Sequence, residues 1–158
     1  MITVGIITVS DRASRGQYED KSGPALRQFC EQQGWPMIST VIVPDEIDGI
    51  QAQTKALSHS CTLLLLTGGT GIAERDVTPE AIRAIAQKEL PGFGEAMRAE
   101  SFQRFPNAIL SRSLAAVIGK SLVICLPGSP KAAVECLSFV AGAIPHAIEL
   151  LHGDTAHA

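Results

Sequence analysis

The stretch TGGTGIAERDVTPEA, residues 67–81, follows the apolar run CTLLLL and gathers more chemistry-bearing residues than any other part of the chain. Gly68, Gly69 and Gly71 let backbone N–H groups come close to an anion, and Thr67 and Thr70 add hydroxyl donors. The same glycines also suit a tight turn that needs positive φ, and the loop alone does not separate the two readings. It is no Walker A motif, because Gly-x4-Gly-Lys-Ser/Thr is absent, and no GxGxxG, because Glu74 stands where the third glycine belongs. Asp76 shifts the balance toward a ligand. Thr78 and Pro79 are expected to start the next helix with Thr78 as its cap, which leaves Asp76 free of that task. Asp45, in VPDE, ends another strand and can approach the same crevice. Two carboxylates beside a phosphate repel it unless a divalent cation lies between them. Asp45, Asp76 and the loop Thr67–Gly71 together therefore point to a metal–phosphate site.

Ser10 and Arg12 in SDR follow the first strand, and Arg12, Arg75 and Lys131 could neutralise phosphate charge. Lys131 falls in the first turn of a helix, where a cation opposes the helix dipole and an anionic ligand would offset the cost. Ser111 and Arg112 in LSRS interrupt an apolar stretch, which a water-facing edge or hairpin position explains equally well. Other chemistries find less support. The four cysteines (Cys30, Cys61, Cys125, Cys136) form no CxxC pair and read as buried, reduced thiols of a cytoplasmic protein. His59, His146, His152 and His157 have neither HExxH nor i,i+4 spacing, so they read as surface or helix-end residues, not metal ligands.

The elements that must carry these residues alternate strand and helix. ITVGIITV (2–9), MISTVIV (37–43), CTLLLL (61–66) and SLVICL (121–126) are strand-like runs, and the first, third and fourth look buried on both faces. Helices are expected over 23–34 with Ser22 as cap and Gly34 as stop, over 46–58 with Ile47, Ile50 and Leu57 inward, and from Thr78 with Ile82 and Ile85 inward. GFGEAMRAESFQRF predicts another helix. AILSRSLAAVIG reads as an irregular piece followed by a strand or hairpin arm, and PGSP leads into one long helix over 130–151 capped by Ser129. The pattern predicts a single domain over 1–158: a three-layer α/β/α fold with a mainly parallel sheet and helices on both faces. In such sheets ligands bind beyond the carboxyl ends of the strands, where SDR, PDE, TGGTG and PGSP all lie.

At 158 residues the chain can bury a substantial core, and its 46% hydrophobic and 18% charged residues are ordinary for a globular protein. A net charge of −3 argues against general binding to nucleic acid or anionic membranes, which needs a basic surface. No run is expected to span a membrane, and the opening MITVGIITVSDR is too short and too quickly polar for a signal peptide.

LLLTGGTGIAERDVTPEAI, preceded by SDRAS and followed by PGFGEAMR, ILSRS and LPGSPKAAVECL, resembles the molybdopterin adenylyltransferase family of the MogA type. That family is related to MoaB and to the G domains of a plant molybdenum-cofactor protein and of animal gephyrin. The likeness covers nearly the whole chain in the right order. It implies an enzyme of molybdenum cofactor biosynthesis, commonly a homotrimer, that adenylylates molybdopterin with Mg·ATP and releases pyrophosphate. The product would pass to a molybdenum-insertion protein. By the resemblance the two essential aspartates fall on Asp45 and Asp76, which would hold or orient Mg²⁺. The nucleotide-phosphate loop falls on Thr67, Gly68, Gly69, Thr70 and Gly71. Ser101 and Ser111 match serines linked to the pterin, and Ser10, Arg12 and Lys131 would join them in holding molybdopterin. Three competing readings are a MoaB-like protein that binds a pterin without adenylylating it, a structural or oligomerisation module of the same fold, and another mononucleotide-binding α/β protein such as a kinase. The missing Walker lysine counts against the last.

Overall fold

The computed structural model describes residues 1–154, and His157 lies outside them. Six strands form one sheet: β1 (Val4–Val9), β2 (Met37–Val43), β3 (Leu63–Thr67), β4 (Lys88–Glu89), β5 (Leu114–Ile118) and β6 (Ser121–Leu126). Their order is β2-β1-β3-β6-β5-β4. β1, β2, β3 and β6 run parallel, and β5 is antiparallel to β6 and to the short edge strand β4. β1, β3 and β6 consist almost wholly of buried residues, as apolar runs without polar alternation require. AILSRSLAAVIG resolves into a 3₁₀ turn over Pro106–Leu110, then β5, which turns into β6 through Gly119 at φ +61°.

Alternate side chains feed two cores. Ile6, Leu63, Leu65 and Ile124 point into the layer made by α2 (Ser22–Gln32), α5 (Pro91–Phe102), α6 (Pro130–Val140) and α7 (Ile144–Leu151). Ile7, Leu64, Leu66 and Val123 meet α3 (Ile47–Leu57) and α4 (Thr78–Ile85) on the other face. The fold is thus α/β with helices on both sides. Each such side chain taken fully from water contributes about 1.5–3 kcal/mol, which makes the strand ends rigid mounts for the loops.

The sheet also fixes where a ligand can bind. The chain leaves β1 for β2 on one side, and β3 then lies on the other side of β1, so the β1/β3 boundary is a topological switch point. SDR leaves β1 and TGGTG leaves β3 at that boundary, with PDE and PGSP on the flanks.

Several local expectations are corrected. Ser22 lies inside α2, and its hydroxyl donates to the Gly128 carbonyl at 2.5 Å; the Asp20 carboxylate instead accepts from the Gly23 N–H at 3.1 Å. Thr78 does not cap α4, because its buried hydroxyl donates to the Gly68 carbonyl at 2.9 Å. Ile47 is 41% exposed, since it sits at the first, outward position of α3. The segment 130–151 is not one helix. A 3₁₀ turn over Ala141–Ala143 separates α6 from α7, where Pro145 offers no N–H to the Ala141 carbonyl. Contrary to expectation, Pro130–Leu151 does have the length and mean hydropathy, 1.5 over its window, of a membrane span. Ala133, Leu137, Val140, Ile144 and Ile148 of this segment pack into the core against the sheet.

Ser129 does cap α6, its Oγ accepting from the Ala132 N–H at 3.1 Å. Ser129→Ala is expected to lower unfolding stability by about 1 kcal/mol, read as a lower urea midpoint with an unchanged slope.

Candidate active site

β1 and β2 end in a reciprocal clasp. The Asp11 N–H donates to the Asp45 carboxylate and the Asp45 N–H donates to the Asp11 carboxylate, both at 2.9 Å. Asp11 is the first residue of a short turn of helix, α1 (Asp11–Ser14), and Arg75 grips it at 2.5 and 3.0 Å. The guanidinium holds the Asp11 carboxyl down to about 2. The Arg75 charge is therefore engaged by Asp11, with Glu46 at 3.8 Å, and it does not reach toward a ligand as the sequence suggested.

The glycine loop folds with its carbonyls turned away from the crevice. The Gly68 carbonyl accepts from the Thr78 hydroxyl and the Gly69 carbonyl from the Thr78 N–H. The Thr70 carbonyl accepts from the Arg112 N–H at 2.8 Å and the Gly71 carbonyl from Arg112 Nε at 2.7 Å. The N–H groups of Gly69, Thr70, Gly71 and Ile72 have no hydrogen-bond partner among the described residues. Gly68 and Gly69 take φ of +104° and +67°, and a side chain at Gly68 would collide with the Val9 carbonyl. Four successive amides without a protein partner, starting at a positive-φ glycine, form an anion-binding shape.

Two of the loop residues do less than expected. The Gly68 N–H is already bonded to the Leu126 carbonyl at 3.1 Å, so Gly68 makes the turn and supplies no amide. Thr67 is buried in β3 and its hydroxyl donates to the Pro127 carbonyl at 2.7 Å, which leaves that oxygen only as an acceptor.

Two hollows meet at this loop. The smaller, of about 230 Å³, is lined by Thr8, Ser10, Tyr18, Asp20, Asp45, Thr67, Gly68, Gly69 and Asp76 among others. The larger, of about 670 Å³, has Gly69, Thr70, Gly71 and Asp76 on one side and Ser101, Ser111 and Lys131 on the other. Gly69, Asp76 and Gly128 are common to both. Asp45 and Asp76 thus face one chamber, as the sequence reading required. Burial pushes the Asp45 carboxyl up, and the nearby charges of Asp11 and Asp76 push it the same way against the Asp11 N–H bond. The Asp76 carboxylate accepts from the Ala73 N–H at 3.0 Å, so it has a turn-closing task that the sequence reading did not give it.

The residues assigned to the pterin divide. Ser101, Ser111 and Lys131 share the larger hollow. Ser101 Oγ lies 3.5 Å from the Cys136 sulfur, Ser111 Oγ donates to Ser113 Oγ at 3.0 Å, and Lys131 is exposed with Glu135 4.0 Å away. Ser10 lies in the smaller hollow and caps α1 by accepting from the Ala13 N–H at 3.1 Å. Arg12 lines neither hollow; its guanidinium rests 5.0 Å from the centre of the Tyr18 ring. Asp20 and Tyr18 had no role in the sequence reading, which singled out Arg112 only as a polar interruption of an apolar stretch. Tyr18 and Asp20 sit in a polar loop between α1 and α2 where spacing carries no signal, and only tertiary placement brings them to the chamber.

A divalent cation fits this donor set in one manner. No group of three or more His, Cys, Asp or Glu side chains converges as a metal cluster among the described residues. Asp45 and Asp76 alone would leave most positions of a magnesium ion to water and to phosphate oxygens, as is usual for Mg²⁺ carried by a nucleotide. The four cysteines are buried and free, and burial raises Cys30 and Cys125 to about 12, so they stay as unreactive thiols.

The chain is therefore an α/β protein whose crevice, at the carboxyl ends of its strands, brings unpartnered loop amides beside two carboxylates. Residues 5–146 match the family described as a probable molybdopterin binding domain, and the chain belongs to that family. It is 44% identical to the molybdopterin adenylyltransferase of Helicobacter pylori J99, over 97% of this chain and 89% of that one. Its identity to the Escherichia coli K12 molybdopterin adenylyltransferase is 40%, over 96% and 86%. Among solved structures, the molybdopterin biosynthesis enzyme MoaB from Thermus thermophilus superposes with a TM-score of 0.91 at 40% identity, covering 97% and 98% of the two chains. A MogA structure superposes at 0.88 with 33% identity, covering 94% of this chain and 99% of that one.

The raised Asp45 carboxyl has a sign that can be checked. A folded-state value above the unfolded one of about 3.9 stabilises the native state fully only below that pH, and the benefit is lost as pH rises through the folded value. At neutral pH the ionised side chain disfavours folding relative to a neutral isostere. Asp45→Asn keeps an oxygen for the Asp11 N–H. It should raise the thermal midpoint of the ligand-free protein at pH 7, with the gain vanishing below about pH 4. A lower midpoint at pH 7 would contradict the charge argument.

Proposed function

We propose that this protein is a molybdopterin adenylyltransferase of molybdenum cofactor biosynthesis. An oxygen of the molybdopterin phosphate attacks the α-phosphorus of ATP, the bond from that phosphorus to the oxygen bridging to the β-phosphate breaks, and pyrophosphate leaves. The observation that carries the reading is the junction of the two hollows at outward loop amides beside Asp45 and Asp76. The chemistry asks for positioning and charge neutralisation, not for a protein nucleophile. The relatives named molybdopterin adenylyltransferase support the same substrate pair.

In this reading the larger hollow receives the pterin. Its apolar wall of Met97, Phe105 and Leu110 suits a flat heterocycle, while Ser101, Ser111 and Lys131 are placed to bond its polar edge and phosphate. The amides of Gly69, Thr70 and Gly71 hold the nucleotide phosphates, and Ser10 serves the nucleotide side in place of the pterin. Asp45 and Asp76 hold Mg²⁺. When bound, that ion neutralises phosphate charge and makes pyrophosphate a better leaving group. The homotrimer and the hand-off to a molybdenum-insertion protein belong to the same proposal.

A second reading, a MoaB-type protein, is favoured by the superposition on the Thermus thermophilus enzyme. Pyrophosphate release from ATP, Mg²⁺ and molybdopterin separates the two. Wild-type protein is expected to release it, and Asp76→Asn to reduce the rate by about 100-fold or more while folding normally. A rate within a few fold of wild type in Asp76→Asn would remove the metal role. No release by wild type, with pterin still bound, would favour the second reading.

A further inference from the structure

Arg112 lines neither hollow, yet it hydrogen-bonds two carbonyls of the glycine loop and a third at Asp76. Its backbone N–H donates to the Thr70 carbonyl at 2.8 Å, its Nε to the Gly71 carbonyl at 2.7 Å, and its Nη2 to the Asp76 carbonyl at 2.7 Å. Nη1 pairs with the Glu80 carboxylate in the first turn of α4. All three guanidinium nitrogens are used, and the side chain is 31% exposed. The nitrogen fork matches the spread of the two carbonyls, which a lysine ammonium cannot do.

We propose that Arg112 is the positioning residue of the site: it turns the Thr70, Gly71 and Asp76 carbonyls away from the crevice so that the loop amides and the Asp76 carboxylate face the ligand. The inference rests on the adenylyl-transfer reading for its effect on turnover. Carbonyl oxygens left facing a triphosphate would repel it, and a peptide plane that rotates to present its oxygen withdraws the next residue's N–H. Arg112 and Thr78 divide this task between them, Thr78 taking Gly68 and Gly69 and Arg112 the rest. The Arg112 charge is met by Glu80, whose carboxyl is held down by the guanidinium, so Arg112 acts through the loop and not as a phosphate-binding cation.

That distinction sets the test. Arg112→Lys keeps the charge and loses the fork; Arg112→Ala loses both and leaves space for a free guanidinium ion. Both variants are expected to lose about 100-fold in kcat/KM for ATP, with the melting temperature monitored to certify folding. Millimolar guanidinium, far below denaturing levels, should restore Arg112→Ala by about tenfold or more and leave Arg112→Lys unchanged. Independently of activity, hydrogen exchange at the Thr78 and Asp76 amides, which bond the Gly69 and Ala73 carbonyls, should quicken in Arg112→Lys. A lysine variant within about threefold of wild type, a folded alanine variant that guanidinium does not rescue, or unchanged exchange at both amides would each overturn the proposal. If Arg112→Ala does not fold, the lysine variant and its exchange pattern decide. Wild type that neither binds ATP nor releases pyrophosphate would sink the adenylyl-transfer reading alone, since quickened exchange would still support the positioning role.

Discussion

Four consecutive peptide carbonyls, Gly68 to Gly71, are tied to two residues outside the loop, Thr78 and Arg112. An untied glycine loop would sample many orientations, because glycine resists none of them, and each would present a different mix of oxygens and amides. Tying the oxygens down leaves one arrangement in which N–H groups face the crevice. The binding surface is thus defined by what its opposite side is bonded to. The two glycines at positive φ make the turn possible, while hydrogen bonds to Thr78 and Arg112 make it single-valued.

This arrangement needs a stiff frame. Thr78 opens α4, which is anchored by buried Ala81 and Ile82 against one face of the sheet, and Arg112 leads into β5, which pairs with β6. Gly68 itself donates to the end of β6, and the Thr67 hydroxyl reaches Pro127 just beyond it. The loop after β3 is therefore fastened on both flanks to elements fixed by the same apolar core. On the other side of the switch point the Asp11–Asp45 clasp fastens β1 to β2. Asp45 is held against the loop from there, with one of its carboxylate oxygens 3.0 Å from where a side chain on Gly69 would begin.

The frame was legible in the sequence because unbroken apolar runs in β1, β3 and β6 admit few interpretations, and because turn residues cluster at their carboxyl ends. The glycine loop and Asp45 stood out because each lies next to a strand end, and Asp76 because it stands before a helix start that has no need of it as a cap. Strand order was not legible, and neither was the break at Ala141–Ala143, where the apolar pattern continues without interruption and only Gly142 and Pro145 disturb the backbone. Thr78 shows how a local rule gives way to tertiary context. A threonine before Pro-Glu is a good cap by sequence, yet its hydroxyl stabilises more on a buried carbonyl, since leaving that oxygen without a partner costs about 1–3 kcal/mol. The partners of Arg112 were hidden for a different reason. Arg112 looked like a water-facing interruption of a strand, and nothing local to LSRS marks the carbonyls of residues 71 and 76 as its partners.

The charges of the site are arranged in a way that a stability optimum would not choose. Asp20, Asp45 and Asp76 line the smaller chamber with no lysine or arginine among its lining residues, and Arg75, the nearest candidate, is held outside by Asp11. In the larger hollow Arg98 and Lys131 are present, with Glu135 as the only other acid besides Asp76. Burial pushes the Asp45 carboxyl up, and the charges of Asp11 and Asp76 push it the same way. A cation arriving with a triphosphate would reverse that sign, because the carboxylates would then face positive charge and the phosphate oxygens would face amides. A lone polyanion gains nothing comparable in this chamber. On the adenylyl-transfer proposal, the repulsion among these acids would favour a metal-complexed nucleotide over a bare one.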